Sequence, residues 1–492
     1  MKRKVSVCAG VVAAVVAFSA GAEEPKAAVQ APDAEQAPRA PARQEEKAGA
    51  VAAPAVDGPG TERVMAAPPL VDAAVGGTVS AGSTAQAAGA PVEAKAEAEA
   101  PEVHIPFSLT LVPGLSTSGM HTSNVVNTVA IGLVATHAKR VDGVALAIGA
   151  NWVSAGLNGA QFAVGANVSR GPVTGGQFSV GGNVAGGDFL GIQSSVGINV
   201  VKGRMEGAQL GVGVNTVAGP VSGAQLGVGA NIATGGVVGT QLAVGANVAT
   251  GPVRGLQAAA GINVAGEMSG VQLSSGISYA RHLSGGQLSL INVGGQVDGA
   301  QVGLVNVAGR VDGAQVGLVN VAGHTEGESV GLLSFVGNGQ AHVQVWSSDV
   351  SLTNVGVKLG GRHLYTLLTA GFTPSLDGDR RRYTVGVGFG GHIPLDRFYV
   401  DIDVVGSSLH SKHWFHDSEN QHVLGQLRVM AGWQVARRFA IFAGVTGNTL
   451  VTWDGSDRWS EVGGLGPEWT EVSDGGRTVV RTWPGLLAGI QL

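Results

Sequence analysis

The sequence predicts an all-β protein: a parallel β-solenoid of 14–16-residue coils followed by a C-terminal antiparallel β-barrel-like domain. Three observations carry that expectation. Glycine accounts for 80 of 492 residues, more than twice the usual frequency of about 7%, yet no strict Gly-X-Y triplet is present and collagen is excluded. Gln and Asn recur in step every 16 residues through the middle of the chain. Long alternating strands fill the last third, together with seven of the eight tryptophans.

Composition narrows the function classes first. With 30 basic and 35 acidic residues the formal net charge is -5. No basic field exists for nucleic acid, and at 5% aromatics few rings are available for base stacking, so no nucleic-acid partner is expected. Beyond residue 22 no stretch reaches the roughly 20 apolar residues of a spanning helix. Any membrane insertion would therefore be by β-structure. Residues 1–22 read as a signal peptide: Met1-Lys2-Arg3-Lys4, an apolar stretch from Val5 to Phe18, and a small-x-small site at Ala20 and Ala22. Cys8, the single cysteine, would leave with it. The mature chain then has no disulfide and no thiolate metal ligand.

Residues 23–103 hold 10 of the 19 prolines and no aromatic residue. Such a segment cannot bury enough apolar surface to offset its ordering entropy, and it reads as a disordered Ala/Pro/Glu-rich linker. Residues 104–140 are expected to supply N-terminal cap strands, because stacked arrays need covered ends.

Residues 141–340 read as the solenoid. Gln161, Gln177, Gln193, Gln209, Gln225, Gln241 and Gln257 lie 16 residues apart, and Asn167, Asn183, Asn199, Asn215, Asn231, Asn247 and Asn263 keep step with them. The period then tightens through Gln272, Gln287, Gln301 and Gln315 to Ser329, and Ala145 with Asn151 opens the series, giving 13 copies. Within one copy, Gln225-Leu226-Gly227-Val228-Gly229-Ala230-Asn231-Ile232, polar or glycine positions alternate with apolar ones. That is the period of a strand with one buried face. A glycine-bounded stretch such as Ala218–Gly223 would supply a second short strand. The alternative is a single large transmembrane β-barrel in which each repeat is a membrane strand. Antiparallel neighbours need different turns at their two ends, whereas the junctions here are alike, so parallel coils with stacked amide ladders are preferred. Thirteen coils at about 4.8 Å make a rod roughly 60 Å long.

Residues 341–492 change character. In Phe398–Val404 and Gln426–Val435 one side is apolar and the other carries Asp401, Asp403, Gln426, Arg428 and Gln434. About eight such strands are expected, the smallest closed outer-membrane barrel, with polar residues inward and apolar residues toward lipid. The run Leu486–Leu492 resembles the terminal strand of outer-membrane proteins, with Leu492 in place of their aromatic residue, a departure that leaves a soluble β-sandwich as the alternative for this domain.

No constellation of catalytic type stands apart from the strand pattern. His410, His413, His416 and His422 cluster in one strand connection, and neutral imidazoles there would suit Zn or Ni. The spacing matches no closed structural site, and solvated tip histidines are the expected reading. Gly386–Gly391 contains G-x-G-x-x-G without a following helix and reads as barrel glycine. Asp142, Asp298 and Asp312 sit in Val-Asp-Gly turns, too few for the six to eight oxygens of calcium. Asp377–Arg382 reads as a hairpin tip. No cofactor is expected, and the chain is read as not an enzyme.

The units Gly299–Gly309 and Gly313–Val321, with the closing segment Gly331–Val336, resemble the bacterial, leptospiral-type surface-repeat proteins. That resemblance covers roughly residues 105–450 and implies an exported envelope protein with no assigned activity and no inherited site residues. The function expected is therefore a non-enzymatic surface or outer-membrane repeat protein with a structural, adhesive or interaction role. Its expected partners are outer-membrane lipid and a cell-surface polysaccharide or protein. An outer-membrane channel built from the repeats is the alternative. A carbohydrate-active β-helix enzyme is disfavoured, because its longer coils carry carboxylates on one face.

Overall fold

The computed structural model describes residues 101–112, 114–119, 122–374, 381–410, 422–453, 466–473 and 476–492. The expected signal peptide and nearly all of the linker lie outside these residues. Among the described residues every regular element is a strand. The repeats form a parallel solenoid: Gln225 stands level with Gln209 before it and Gln241 after it, and Asn231 with Asn215 and Asn247. Consecutive copies run in the same direction, so a meander of membrane strands is not the architecture.

Each coil bends where the alternation alone gave no warning. The expected strand Gln225–Ile232 is two strands, Val221–Gly227 and Ala230–Ala233, with Val228 and Gly229 at the corner between them. The glycine-bounded stretch is no separate strand: its valine, Val221, opens the Gln strand. Gly223, two residues before Gln225, has φ 133°, as do its counterparts at closely similar angles from Gly143 to Gly299. A Cβ on Gly223 would lie 2.0 Å from the carbonyl oxygen of Gly207. Only glycine both adopts that φ and lets successive coils approach at sheet spacing. The two contractions of the repeat fall at opposite edges. One residue is lost from the Gly-Pro turn, where Ala249 pairs Ala265 but Pro252 pairs Glu267. The next is lost from the other corner, where Leu273–Ile277 faces Leu288–Ile291.

The buried face is the polar one. Gln225 and Asn231 are fully buried, with Val221 and Ala233 completing the inward positions of that coil. Stacked over the coils these make four internal columns, two of amides and two of apolar side chains such as Leu157, Val173, Phe189 and Met205. The strands expected as a cap join the same winding. Val103–Val112 pairs parallel with Val125–Gly132, which places Ser108 and Ala130 in the column that Gln161 occupies further on.

The second sheet closes on itself. Eight strands, Gln340–Ser348, Thr353–Gly360, Leu364–Thr373, Arg382–Leu395, Phe398–His410, His422–Ala436, Phe439–Trp453 and Gly476–Gln491, pair antiparallel in sequence order. The last pairs back to the first, with Gln344 opposite Gln491 and Ser348 opposite Leu487. Glu468–Ser473 forms a hairpin on the far half of the final strand. The last coil docks on the barrel through Glu328, whose carboxylate accepts hydrogen bonds from the backbone N–H groups of His363 and Leu364. Thr366 adds a hydroxyl bond to the Gly331 carbonyl.

Candidate functional site

Parallel stacking puts like amides one sheet spacing apart, which is hydrogen-bond distance. From Gln177 onward each Gln Nε2 donates to the Oε1 of the preceding coil: Gln177 to Gln161 at 2.8 Å, Gln225 to Gln209 at 2.8 Å, Gln257 to Gln241 at 2.7 Å. The column continues without a gap to Gln315, whose Oε1 accepts the Ser329 hydroxyl at 3.0 Å. The Asn column has the opposite sense. Asn151 donates to Asn167 at 2.8 Å, Asn215 to Asn231 at 2.8 Å and Asn247 to Asn263 at 3.0 Å. Each Asn also spends a hydrogen on a backbone carbonyl of the next Gln strand, as Asn231 does on Leu242 at 2.7 Å. Ser278 interrupts this column, and the Asn292 Oδ1 below it has no partner. All fourteen ladder residues read from the sequence are fully buried members of these two columns.

With amides inside, the apolar half of the alternation faces out. Along the corner opposite the Gly-Pro turns, Val164, Val180, Val196, Val212, Val228 and Val244 form a column with 50–58% exposure. Leu210, Leu226 and Leu242 run beside it, and between the two columns lies a groove of about 1020 Å³ floored by Gly211, Gly227, Ala243 and Ala259. Charges collect on the other edge, where Arg140 bonds Asp142 at 3.1 Å and Arg310 bonds Asp312 at 3.0 Å. Asp142, Asp298 and Asp312, expected in turns, lie instead within the strands Ala135–Ala147 and Ile291–Thr325, where Asp142 pairs with Asn158 and Asp298 with Ser284. His137, near the first coils, touches the Thr122 hydroxyl at 2.6 Å and the Ser154 hydroxyl at 3.2 Å. Burial lowers its pKa, and the charge of Arg170 acts in the same direction.

The barrel is inverted relative to a soluble domain. Val404, Leu427, Val445 and Leu486 are exposed on its outside, at 53–69%. Its interior holds two carboxylates and their partners. Asp403 accepts both forks of Arg428, at 2.6 and 2.8 Å, and the Tyr365 hydroxyl at 2.8 Å. Asp401 meets Lys358 Nζ at 2.6 Å and His392 Nδ1 at 2.6 Å. Lys358 also lies 4.0 Å from the centre of the Tyr365 ring, and Arg428 lies 5.2 Å from that of Trp346. Bidentate, charge-assisted contacts of this kind are the strong ones. One packed apolar set inside joins Trp346, Tyr399, Met430 and Phe442, and another joins Val350, Leu409, Leu424, Leu450 and Trp483. Asp403 with Arg428 was legible in the alternation. Lys358 and His392 were not read from the sequence, although Lys358 is the single charge in Thr353–Gly360.

Of the candidate metal ligands, His413 and His416 lie outside the described residues. His410 contacts the Ser408 hydroxyl at 2.9 Å, and His422 contacts that of Thr452 at 3.2 Å. Among the described residues no group of three His, Cys, Asp or Glu is arranged to hold a metal. Gly386–Gly391 sits inside the strand Arg382–Leu395, with no helix following. Asp377–Arg380 also lie outside the described residues. Comparison with family models, with characterised proteins and with solved structures finds no match to this chain.

Proposed function

We propose that this chain is an exported, non-enzymatic outer-membrane protein in which the barrel is the anchor and the solenoid the surface offered to a partner. The observation that carries the reading is the inverted barrel. Its buried side chains include Lys358, Asp401, Asp403 and Arg428, while Val, Leu, Ile, Phe and Trp are its large exposed side chains, with Ala, Gly and Thr between them. A closed eight-strand sheet of that polarity matches a lipid-facing barrel and has no counterpart reason in water. The paired, shielded charges inside are braces between strands. They argue for an anchor in preference to a channel, because packed side chains occupy the space an ion path would need.

The solenoid supplies the second half of the proposal. An apolar edge runs along several coils, and contiguous exposed apolar strips mark contact surfaces. The role of such a surface is structural or adhesive. Outer-membrane lipid surrounds the barrel, and a protein or polysaccharide of the envelope meets the rod. Fractionation tests the anchor. The chain should stay with outer membranes through high salt and carbonate at pH 11 and dissolve in mild detergent. Release by salt alone would refute it.

A further inference from the structure

The barrel's two ends are unlike, and the difference assigns a side of the membrane to the rod. At the solenoid end the strand connections are minimal: Gly361–His363, Asp396-Arg397 and Arg437-Arg438. The chain enters the barrel at that end through Gln340, and Gln491 of the final strand returns to it, as an even number of strands requires. At the opposite end the first connection, residues 349–352, is short, and the other three span residues 374–381, 411–421 and 454–467, with the Glu468–Ser473 hairpin added to the last. Outer-membrane barrels place short turns in the periplasm and long loops outside.

From this asymmetry we infer that the solenoid stands on the periplasmic side of the outer membrane, and that only the long-loop end of the barrel meets the medium. The inference rests on the membrane reading above. A second observation points the same way. The 13 coils precede the barrel in the chain, and outward display would require a passage for them. The barrel interior is taken up by Trp346, Tyr365, Arg428 and Trp483, all buried there, and offers none. The surface exposure expected for the whole chain belongs to the loops alone.

Impermeant-maleimide labelling of the full chain in a double-membraned host tests this, using single cysteines in a Cys8→Ser background. Ser222→Cys reports the exposed polar edge of the rod, and Pro467→Cys reports the exposed far end of the barrel. The expected result is labelling of Pro467→Cys on intact cells. Ser222→Cys should be labelled at least tenfold more after the outer membrane is permeabilised. Equal labelling of Ser222→Cys before and after permeabilisation overturns the inference while leaving the anchor standing, provided that the chain resists carbonate. Release of the chain by carbonate defeats the anchor, and this inference falls with it.

Discussion

Replacing Gln by Met at two equally buried heights of one ladder separates hydrogen bonding from packing. Gln225 and Gln161 are both fully buried, and Met nearly conserves their volume. Removing the Gln225 amide strips Gln241 Nε2 of its acceptor at 2.7 Å and Gln209 Oε1 of its donor at 2.8 Å. Two buried groups are orphaned at about 1–3 kcal/mol each, so Gln225→Met should cost about 2–6 kcal/mol. Gln161 heads the column. Its Nε2 has no partner, and its loss leaves Gln177 Nε2 still bonded to the Val184 carbonyl at 3.3 Å. Gln161→Met should therefore cost at most about 1 kcal/mol. Coils contact only their neighbours and open locally, so hydrogen exchange of the flanking strands in the full chain is the proper assay, not one melting midpoint. A gap of about 2 kcal/mol appears as roughly 30-fold faster exchange around residue 225 than around residue 161 in the respective variants. Equal losses of protection at the two heights would refute the claim that amide pairing holds the coils.

Ser278→Asn should bridge the interrupted Asn column by supplying a donor to Asn292 Oδ1; slower exchange around Ile291, worth about 0.5–1.5 kcal/mol, is expected. Arg428→Leu leaves Asp403 with the Tyr365 hydroxyl alone and should destabilise the detergent-solubilised barrel by about 3–5 kcal/mol; the Arg428→Leu, Asp403→Leu double variant should recover most of that loss in tryptophan-fluorescence unfolding. His137 has a folded-state pKa below its ordinary value, so the unfolded state takes up the proton first. Exchange protection near the first coils should hold above pH about 6.5 and fall as pH drops below it, and His137→Gln should flatten that dependence.

The parallel stack was legible because identical coils put identical residues at one height, so a 16-residue spacing of Gln225 and Gln241 translates directly into pairing. Which face is buried was not legible. Judged alone, an alternation of Gln and Asn with Leu and Val would send Leu226 and Val228 inward. The reverse holds because each buried amide finds its partner in the coil above or below, and that partner belongs to the stack and not to the local pattern. The corner at Val228-Gly229 was hidden for a related reason, since the alternation continues unbroken around it. In the barrel, Asp403 and Arg428 showed themselves by breaking two apolar strands on the same side. The pairing of Lys358 with Asp401 depends on cross-sheet geometry between strands Thr353–Gly360 and Phe398–His410, which no local pattern encodes.

The opposite senses of the two ladders have an electrostatic consequence for the rod. A peptide-like amide carries about 3.5 D, and a long stack of parallel amides would build a dipole whose ends demand charge, as a helix does. Here every Gln donor points toward the first coil and every Asn donor toward the last, so the two columns oppose one another. The ends then need hydroxyls and not ions. Thr136 donates to Asn151 Oδ1 at 2.6 Å at one end; at the other the Ser329 hydroxyl donates to Gln315 Oε1 and the Ser334 hydroxyl accepts from Asn320 Nδ2. A core closed in this way sets no electrostatic limit on the number of coils. Because its cohesion lies in amides and in the inner apolar columns, the outer Val column is spared from folding work and remains available for contact. An exposed apolar edge on a rod with a polar interior is thus a feature of what the rod meets, and the fold itself supplies no reason to keep it.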